Sequence, residues 1–277
     1  MNRITKAFDR VNHRKAVIPF LVAGDPSLEE SIQAFETLLE AGADIIEIGI
    51  PYSDPLADGP VIQSASARSL SNGFSLDNVF ALTKELRKKT DKAFVLFTYV
   101  NPVLQYGIRE FCEEAALSGA DGLIIPDLPL EESSTVRDEA DKAGLALILL
   151  VAPTSDESRI KAIAENARGF LYCVSALGVT GERMSLSDEA RKLVETARKY
   201  TSLPIAVGFG IGSPQQARKV AEFADGVIVG SAYIRRIENN LPTDKSGFNE
   251  AIKALQEFTT KLVDAARSAN IENRVAR

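Results

Sequence analysis

Gly119-Ala120-Asp121-Gly122-Leu123 and Phe223-Ala224-Asp225-Gly226-Val227, with a shorter echo at Gly42-Ala43-Asp44-Ile45-Ile46, decide the fold. Each phrase runs from small residues through an aspartate into an apolar stretch, as a chain does when it leaves a helix and enters a strand. In two of them a glycine stands where the helix closes, a position that favours a residue without a Cβ. Asp121 and Asp225 are 104 positions apart, which is four units of roughly 26 residues, a strand-and-helix period. Asp44 and Asp121 are 77 apart. Two such units cover only part of that span, so the excess marks an insertion.

Outward from these phrases, eight apolar runs recur: Val17–Val22, Asp44–Ile50, Ala93–Tyr99, Gly122–Pro126, Ala146–Val151, Phe170–Val174, Pro204–Gly208 and Gly226–Val229. Most are rich in Ile, Val, Leu and Phe without strict polar alternation, as strands buried on both faces of a parallel sheet read. Helical patterns lie between them, among them Leu28–Glu40, Leu76–Lys89, Glu131–Lys142, Ser187–Tyr200 and Phe248–Ala266. The alternation predicts an α/β fold with a parallel sheet. Eight units favour closure into a single (β/α)8 TIM barrel, one domain over residues 1–277, with an extra N-terminal helix. An open doubly wound sheet is the alternative, but no dinucleotide fingerprint accompanies it. Two connections are long: Pro51 to about Leu76 after the second strand, and Leu177 to about Ser185 after the sixth. In a barrel the loops at the C-terminal strand ends build the active site, so these two are where the chemistry is expected.

Composition excludes several classes. Basic and acidic residues number 32 and 38, interspersed and without a basic stripe, so nucleic acid is not an expected partner. The longest apolar run, Leu145 to Pro153, is too short to span a bilayer. The N-terminal segment lacks the apolar core of a signal peptide, and the two cysteines, Cys112 and Cys173, have no metal-type spacing. These features predict a cytoplasmic protein with no membrane contact. His13 is the only histidine and lies in the N-terminal amphipathic segment. No zinc site or histidine-assisted nucleophile is therefore expected, and carboxylates remain as the carriers of proton transfer.

Glu47 sits inside Asp44-Ile45-Ile46-Glu47-Ile48-Gly49-Ile50. Burial among isoleucines disfavours the charged carboxylate and moves its pKa toward that of a general acid. The residues alone leave this open against a structural glutamate. The loop that follows, Pro51-Tyr52-Ser53-Asp54-Pro55-Leu56-Ala57-Asp58-Gly59-Pro60, offers two aspartates. Each reads either as a turn cap or as a second carboxylate across the barrel mouth. Gly208-Phe209-Gly210-Ile211-Gly212-Ser213 and Gly230-Ser231-Ala232 follow the seventh and eighth strands, where barrels recurrently bind phosphate through backbone amides and helix N-termini. Leu177-Gly178-Val179-Thr180-Gly181-Glu182-Arg183 reads as a hinged lid or a plain turn. Tyr99 and Tyr172 fall near strand ends, as pocket walls or as ordinary packing.

Taken together, Glu47 to Pro60 resembles the signature of the tryptophan synthase α subunit family, without a gap. The similarity continues in order through Pro19–Pro26, Tyr99–Pro102, Pro126–Pro129, Gly178–Gly181, Gly208–Ile211 and Gly230–Ala232. The resemblance implies retro-aldol cleavage of indole-3-glycerol phosphate to indole and D-glyceraldehyde 3-phosphate in tryptophan biosynthesis. It implies that Glu47 protonates indole C3 and that Asp58 accepts the indole N–H. By the same resemblance Phe20, Tyr99, Ile124, Tyr172 and Thr180 are pocket residues, and Gly181, Gly210, Ile211, Gly230 and Ser231 form the phosphate site. No metal and no cofactor are implied in this chain. Pyridoxal phosphate is expected in a β subunit that receives indole within an α2β2 heterotetramer. Phe97 stands where the family often has Met, and Ala176 where it often has Arg, which bears on pocket shape and lid contacts. Other readings are a different phosphate-binding barrel such as indole-glycerol-phosphate synthase, a stand-alone indole-releasing lyase, and an idle allosteric partner of a β subunit.

Overall fold

The structure is a computed structural model and describes residues 2–10, 15–174, 186–208, 210–241 and 247–275. The chain runs through α1 (Arg3–Arg10), β1 (Ala16–Val22), α2 (Leu28–Glu40), β2 (Ile45–Gly49), α3 (Pro60–Ser71), α4 (Leu76–Arg87) and β3 (Ala93–Phe97). It continues through α5 (Val100–Tyr106), α6 (Ile108–Ser118), β4 (Gly122–Ile124), α7 (Ser133–Ala143), β5 (Ala146–Ile148), β6 (Leu150–Val151) and α8 (Glu157–Asn166). The last third holds β7 (Leu171–Val174), α9 (Leu186–Arg198), β8 (Ile205–Gly208), α10 (Pro214–Ala221), β9 (Gly226–Val229), α11 (Ser231–Glu238) and α12 (Gly247–Val275).

All pairings are parallel, in the order β5-β4-β3-β2-β1-β9-β8-β7-β6. The two outermost strands, β5 and β6, are separated in sequence only by Leu149. Together they are one stave, so the nine strands form an eight-staved, nearly closed barrel. The apolar run expected as one strand over Ala146–Val151 is split because the chain changes partner there. Ile148 pairs with Ile124, while the Leu149 carbonyl accepts from the Tyr172 amide at 3.1 Å. Other bounds shift for local reasons. Residues 130–132 form a 3-10 turn after Pro129, so the helix read from Glu131 begins at Ser133. The excess length after the second strand folds as the added helix α3.

The repeated aspartates have one structural role at the N-terminal ends of the strands. Asp44, Asp121 and Asp225 each accept a hydrogen bond from a backbone amide of the neighbouring strand: Val17 at 3.0 Å, Phe94 at 2.9 Å and Ile205 at 2.8 Å. Each is also ion-paired, with Arg267 at 3.1 Å, Arg87 at 2.9 Å and Arg198 at 2.8 Å respectively. The carboxylate satisfies an amide that has no ladder partner at the strand head, and the arginine compensates the charge brought inward. Below them α1 plugs the barrel floor. Ile4 is fully buried, and Phe8 meets Phe170 with ring centroids 5.7 Å apart.

Replacing Asp121 with alanine orphans the Phe94 amide and removes the counter-charge of Arg87, whose guanidinium keeps its bonds to the Gly119, Thr90 and Lys92 carbonyls. A loss of about 2–4 kcal/mol in unfolding free energy is expected by urea denaturation. A loss under about 0.5 kcal/mol would show that the strand-head pin contributes little.

Candidate active site

Strand pleating aims alternate residues of β2 into the barrel. Ile45, Glu47 and Gly49 point inward, and Ile46 and Ile48 face the surrounding helices. The register sets Phe20 beside Glu47, and Glu47 beside Val95. Glu47 is 1% exposed, and its Oε2 has no hydrogen-bond partner among the described residues. Burial, followed by the nearby Asp58 carboxylate, raises its pKa to about 8. Asp58 is also raised by burial, to about 6, with a hydrogen bond from the Tyr99 hydroxyl holding it down. At neutral pH the pair is therefore split, with a proton on Glu47 and a charge on Asp58.

The loop before α3 is fixed by Tyr99, which is 2% exposed. Its hydroxyl accepts from the Ala57 amide at 3.1 Å, and its ring stacks on Tyr52 at 5.3 Å. The Asp58 amide donates to the Pro55 carbonyl at 3.0 Å, closing the turn that aims the carboxylate inward. Asp54 is exposed and accepts from Ser53 Oγ at 2.7 Å. Of the two loop aspartates, only Asp58 enters the cleft.

Phe20, Glu47, Asp58, Ile62, Phe97, Tyr172 and Ile228 line one part of a cleft of about 180 Å³. Gly210, Ile211, Gly212, Gly230, Ser231, Ala232 and Arg235 line the rest. A side chain at Gly208 would strike the Tyr172 phenol, so a bare backbone lets that ring cross the barrel. Gly210 has φ +79°, a conformation that other residues adopt only with strain. At α10, Ser213 caps the helix and Gln216 Oε1 takes the Gly212 amide at 2.8 Å. No comparable side-chain cap closes α11, whose first turn faces the cleft with Ser231 and Ala232. That end offers amides and the positive end of a helix dipole to an anion.

The expected residues are therefore only partly brought together. Phe20, Glu47, Asp58, Tyr172, Gly210, Ile211, Gly230 and Ser231 share the cleft. Tyr99 stands behind Asp58 and holds the loop instead of forming the wall. Ile124 is fully buried beside Phe97 in the β3–β4 register and does not line the cleft. Thr180 and Gly181 lie outside the described residues, as do Phe209, Ala176 and His13. Gly212 and Ala232 fall in the two glycine segments expected to bind phosphate, whereas sequence reasoning missed Ile62, Ile228 and Arg235. Spacing held a signal for two of them: Ile228 is two residues before Gly230 on a strand, and Arg235 is four after Ser231 on a helix. Among the described residues no group of three His, Cys, Asp or Glu side chains is placed to hold a metal ion.

Comparison with known proteins is consistent with this geometry. A family model described as "Tryptophan synthase alpha chain" matches residues 7–266. The tryptophan synthase alpha chain of Thermoanaerobacter sp. (strain X514) is 46% identical over 266 residues, 95% of this chain and 98% of that one. That of Picosynechococcus sp. is 49% identical over 251 residues, 90% of this chain and 93% of that one. Among solved structures, tryptophan synthase subunit alpha from Legionella pneumophila superposes with TM-score 0.87 at 36% identity, covering 97% of this chain and 99% of that one. A chain of the aminoacrylate-bound form of M. tuberculosis tryptophan synthase gives TM-score 0.84 at 34% identity, covering 96% and 100%.

The buried carboxyl has a consequence for stability. Glu47 stays protonated in the fold up to about pH 8, whereas an unfolded glutamate ionises near pH 4.3. Its contribution is thus complete at acid pH and is lost as pH rises through that window. Glu47→Gln removes the titration. The variant's unfolding free energy relative to the parent should rise by several kcal/mol between pH 5 and pH 9, measured by urea denaturation. A difference independent of pH would contradict a neutral buried Glu47.

Proposed function

The chain belongs to the tryptophan synthase alpha chain family, with a lyase role in tryptophan synthesis, and on that premise we propose how its cleft carries out the reaction. The substrate is indole-3-glycerol phosphate and the products are indole and D-glyceraldehyde 3-phosphate. The observation that carries this reading is the split carboxyl pair, with Glu47 protonated and Asp58 ionised in one cleft.

Cleavage of an aryl–alkyl carbon bond requires the ring carbon to become tetrahedral before it can leave. Glu47 supplies the proton to indole C3. Positive charge then develops at the ring nitrogen, and the Asp58 carboxylate accepts the N–H and stabilises that charge. The Glu47 carboxylate, now charged, takes the proton from the hydroxyl on the carbon attached to C3. The C–C bond breaks, its electrons return to the ring, and the carbon becomes the aldehyde of the second product. Glu47 ends protonated, so the cycle closes without an external acid, base or cofactor. Phe20, Phe97 and Tyr172 offer aromatic walls for the indole, and the first turn of α11 with Gly210 and Ile211 accepts the phosphate.

Indole passes to a β subunit carrying pyridoxal phosphate, in an α2β2 assembly. What supports a partner at this face is Leu56, 89% exposed on the loop that carries Asp58, and Leu104, 53% exposed at the same end of the barrel. Large apolar side chains left in solvent beside an apolar groove mark an interaction surface. Leu128, Pro129 and Leu130 line that groove. No described helix is long and apolar enough to cross a membrane.

Indole release from indole-3-glycerol phosphate, measured with and without a β subunit, tests the reading, and no turnover in either case would overturn it. Glu47→Gln should reduce kcat by about 100- to 10,000-fold with KM little changed. The kcat/KM profile should be bell-shaped. It should fall above about pH 8 as Glu47 loses its proton, and below about pH 6 as Asp58 gains one.

A further inference from the structure

We propose that Arg235 is a specificity-determining residue whose guanidinium meets the substrate phosphate and selects phosphorylated over unphosphorylated glycerol chains. This rests on the functional reading above and adds a residue to it.

Arg235 lines the cleft together with Gly210, Gly212 and Ser231. It lies one helical turn after Ser231 on α11. Helical side chains lean toward the N-terminus of their helix, so this one points back to the turn whose amides open on the cleft. The acidic side chains lining the cleft are Glu47, which is neutral at pH 7, and Asp58, which is ionised. A dianionic ligand in a cleft that holds an ionised Asp58 needs a compensating charge, and among the described residues Arg235 is the one cation lining that cleft.

Its surroundings leave it free for that task. Among arginines whose side chains are described, Arg235 alone has no ion pair, hydrogen bond or ring contact. Its natural helical partner, Glu238, is three residues on but is committed to Arg68 at 3.1 Å. Its neighbour Arg236 is turned the other way, lying 3.3 Å over the Phe258 ring and donating to the Ala232 carbonyl. One arginine of α11 packs the helix against α12, and the other presents at the cleft a fork with no partner among the described residues. A guanidinium fork matches phosphate oxygens in a way that a single amide donor does not.

The test uses steady-state kinetics on indole-3-glycerol phosphate and on indole glycerol, with calorimetric binding of glycerol 3-phosphate as an arm independent of turnover. Arg235→Gln should raise KM for the phosphorylated substrate by about 10- to 100-fold while kcat changes less than about threefold. The kcat/KM for indole glycerol should change far less, so discrimination between the two substrates shrinks. Arg235→Lys should recover part of the affinity, and the glycerol 3-phosphate Kd should follow the same order. A KM and Kd within about twofold of the parent, or equal losses on both substrates, would overturn the assignment. Failure of the parent to cleave the substrate would instead remove the functional reading, and the binding arm would still decide the role of Arg235.

Discussion

A carboxyl group held within an aliphatic strand, with one oxygen lacking a hydrogen bond among the described residues, is the constraint around which the site is arranged. Glu47 is costly to bury charged and tolerable to bury neutral, so the fold determines its protonation state. That requirement reaches the neighbouring residues. Phe20 lies beside it in register and excludes water from one side. Asp58 comes from a separate loop, and its charge further disfavours ionisation of Glu47. The result is an acid at neutral pH with its conjugate-base function one proton transfer away, which a cleavage needing both an acid and a base at one carbon can use.

The two ends of the barrel apply similar chemistry to opposite purposes. At the floor, Asp44, Asp121 and Asp225 are saturated by backbone amides and arginines, and the arrangement holds adjacent strands in register. At the mouth, groups are left unsatisfied. Among the described residues Glu47 Oε2 and the Arg235 guanidinium have no partner, and the first turn of α11 lacks a side-chain cap. A strand end that satisfies every donor and acceptor contributes stability and binds nothing. One that leaves them open costs stability and can take a ligand.

Much of this was legible in the sequence, and what was not has physical reasons. The barrel followed from a repeat of aspartates at strand heads, because each strand needs the same device where its ladder begins. Glu47 stood out because a carboxylate among isoleucines has few explanations. Loop composition alone did not separate Asp54 from Asp58, which only the family resemblance singled out, since both sit in a proline-bracketed loop and the Tyr99 hydrogen bonds turn one of them inward. Tyr99 itself was legible as a pocket residue but not as the strut of that loop, because its partner is a backbone amide 42 residues away. The split at Leu149 was hidden because a strand that changes partner keeps the composition of one that does not. Arg235 was hidden for a different reason. Arginine on an exposed helix is ordinary, and its isolation is visible only once Glu238 is seen to be engaged elsewhere.

That engagement links the two halves of the site. Arg68 on α3 bonds Asp25 through both guanidinium edges, at 2.8 and 3.0 Å, and reaches Glu238 on α11 at 3.1 Å. Asp25 is 2% exposed; burial pushes its pKa up and Arg68 draws it back. Ser64 donates to Glu238 at 3.4 Å and accepts from Arg68 at 2.9 Å. α3 begins two residues after Asp58, and α11 begins at Ser231. The charge network therefore fixes α3, the helix that follows the Asp58 loop, against α11, the helix whose first turn opens on the cleft. On the proposed reading each end of the substrate meets a helix start, so the distance between those starts would have to match the substrate's length. A bidentate arginine suits that task because its planar fork tolerates little displacement, where a lysine in the same place would allow the helices to slide. Freeing Arg235 is then a consequence of the same network: Glu238, held by Arg68 to set the spacing, is no longer available to neutralise the cation facing the cleft.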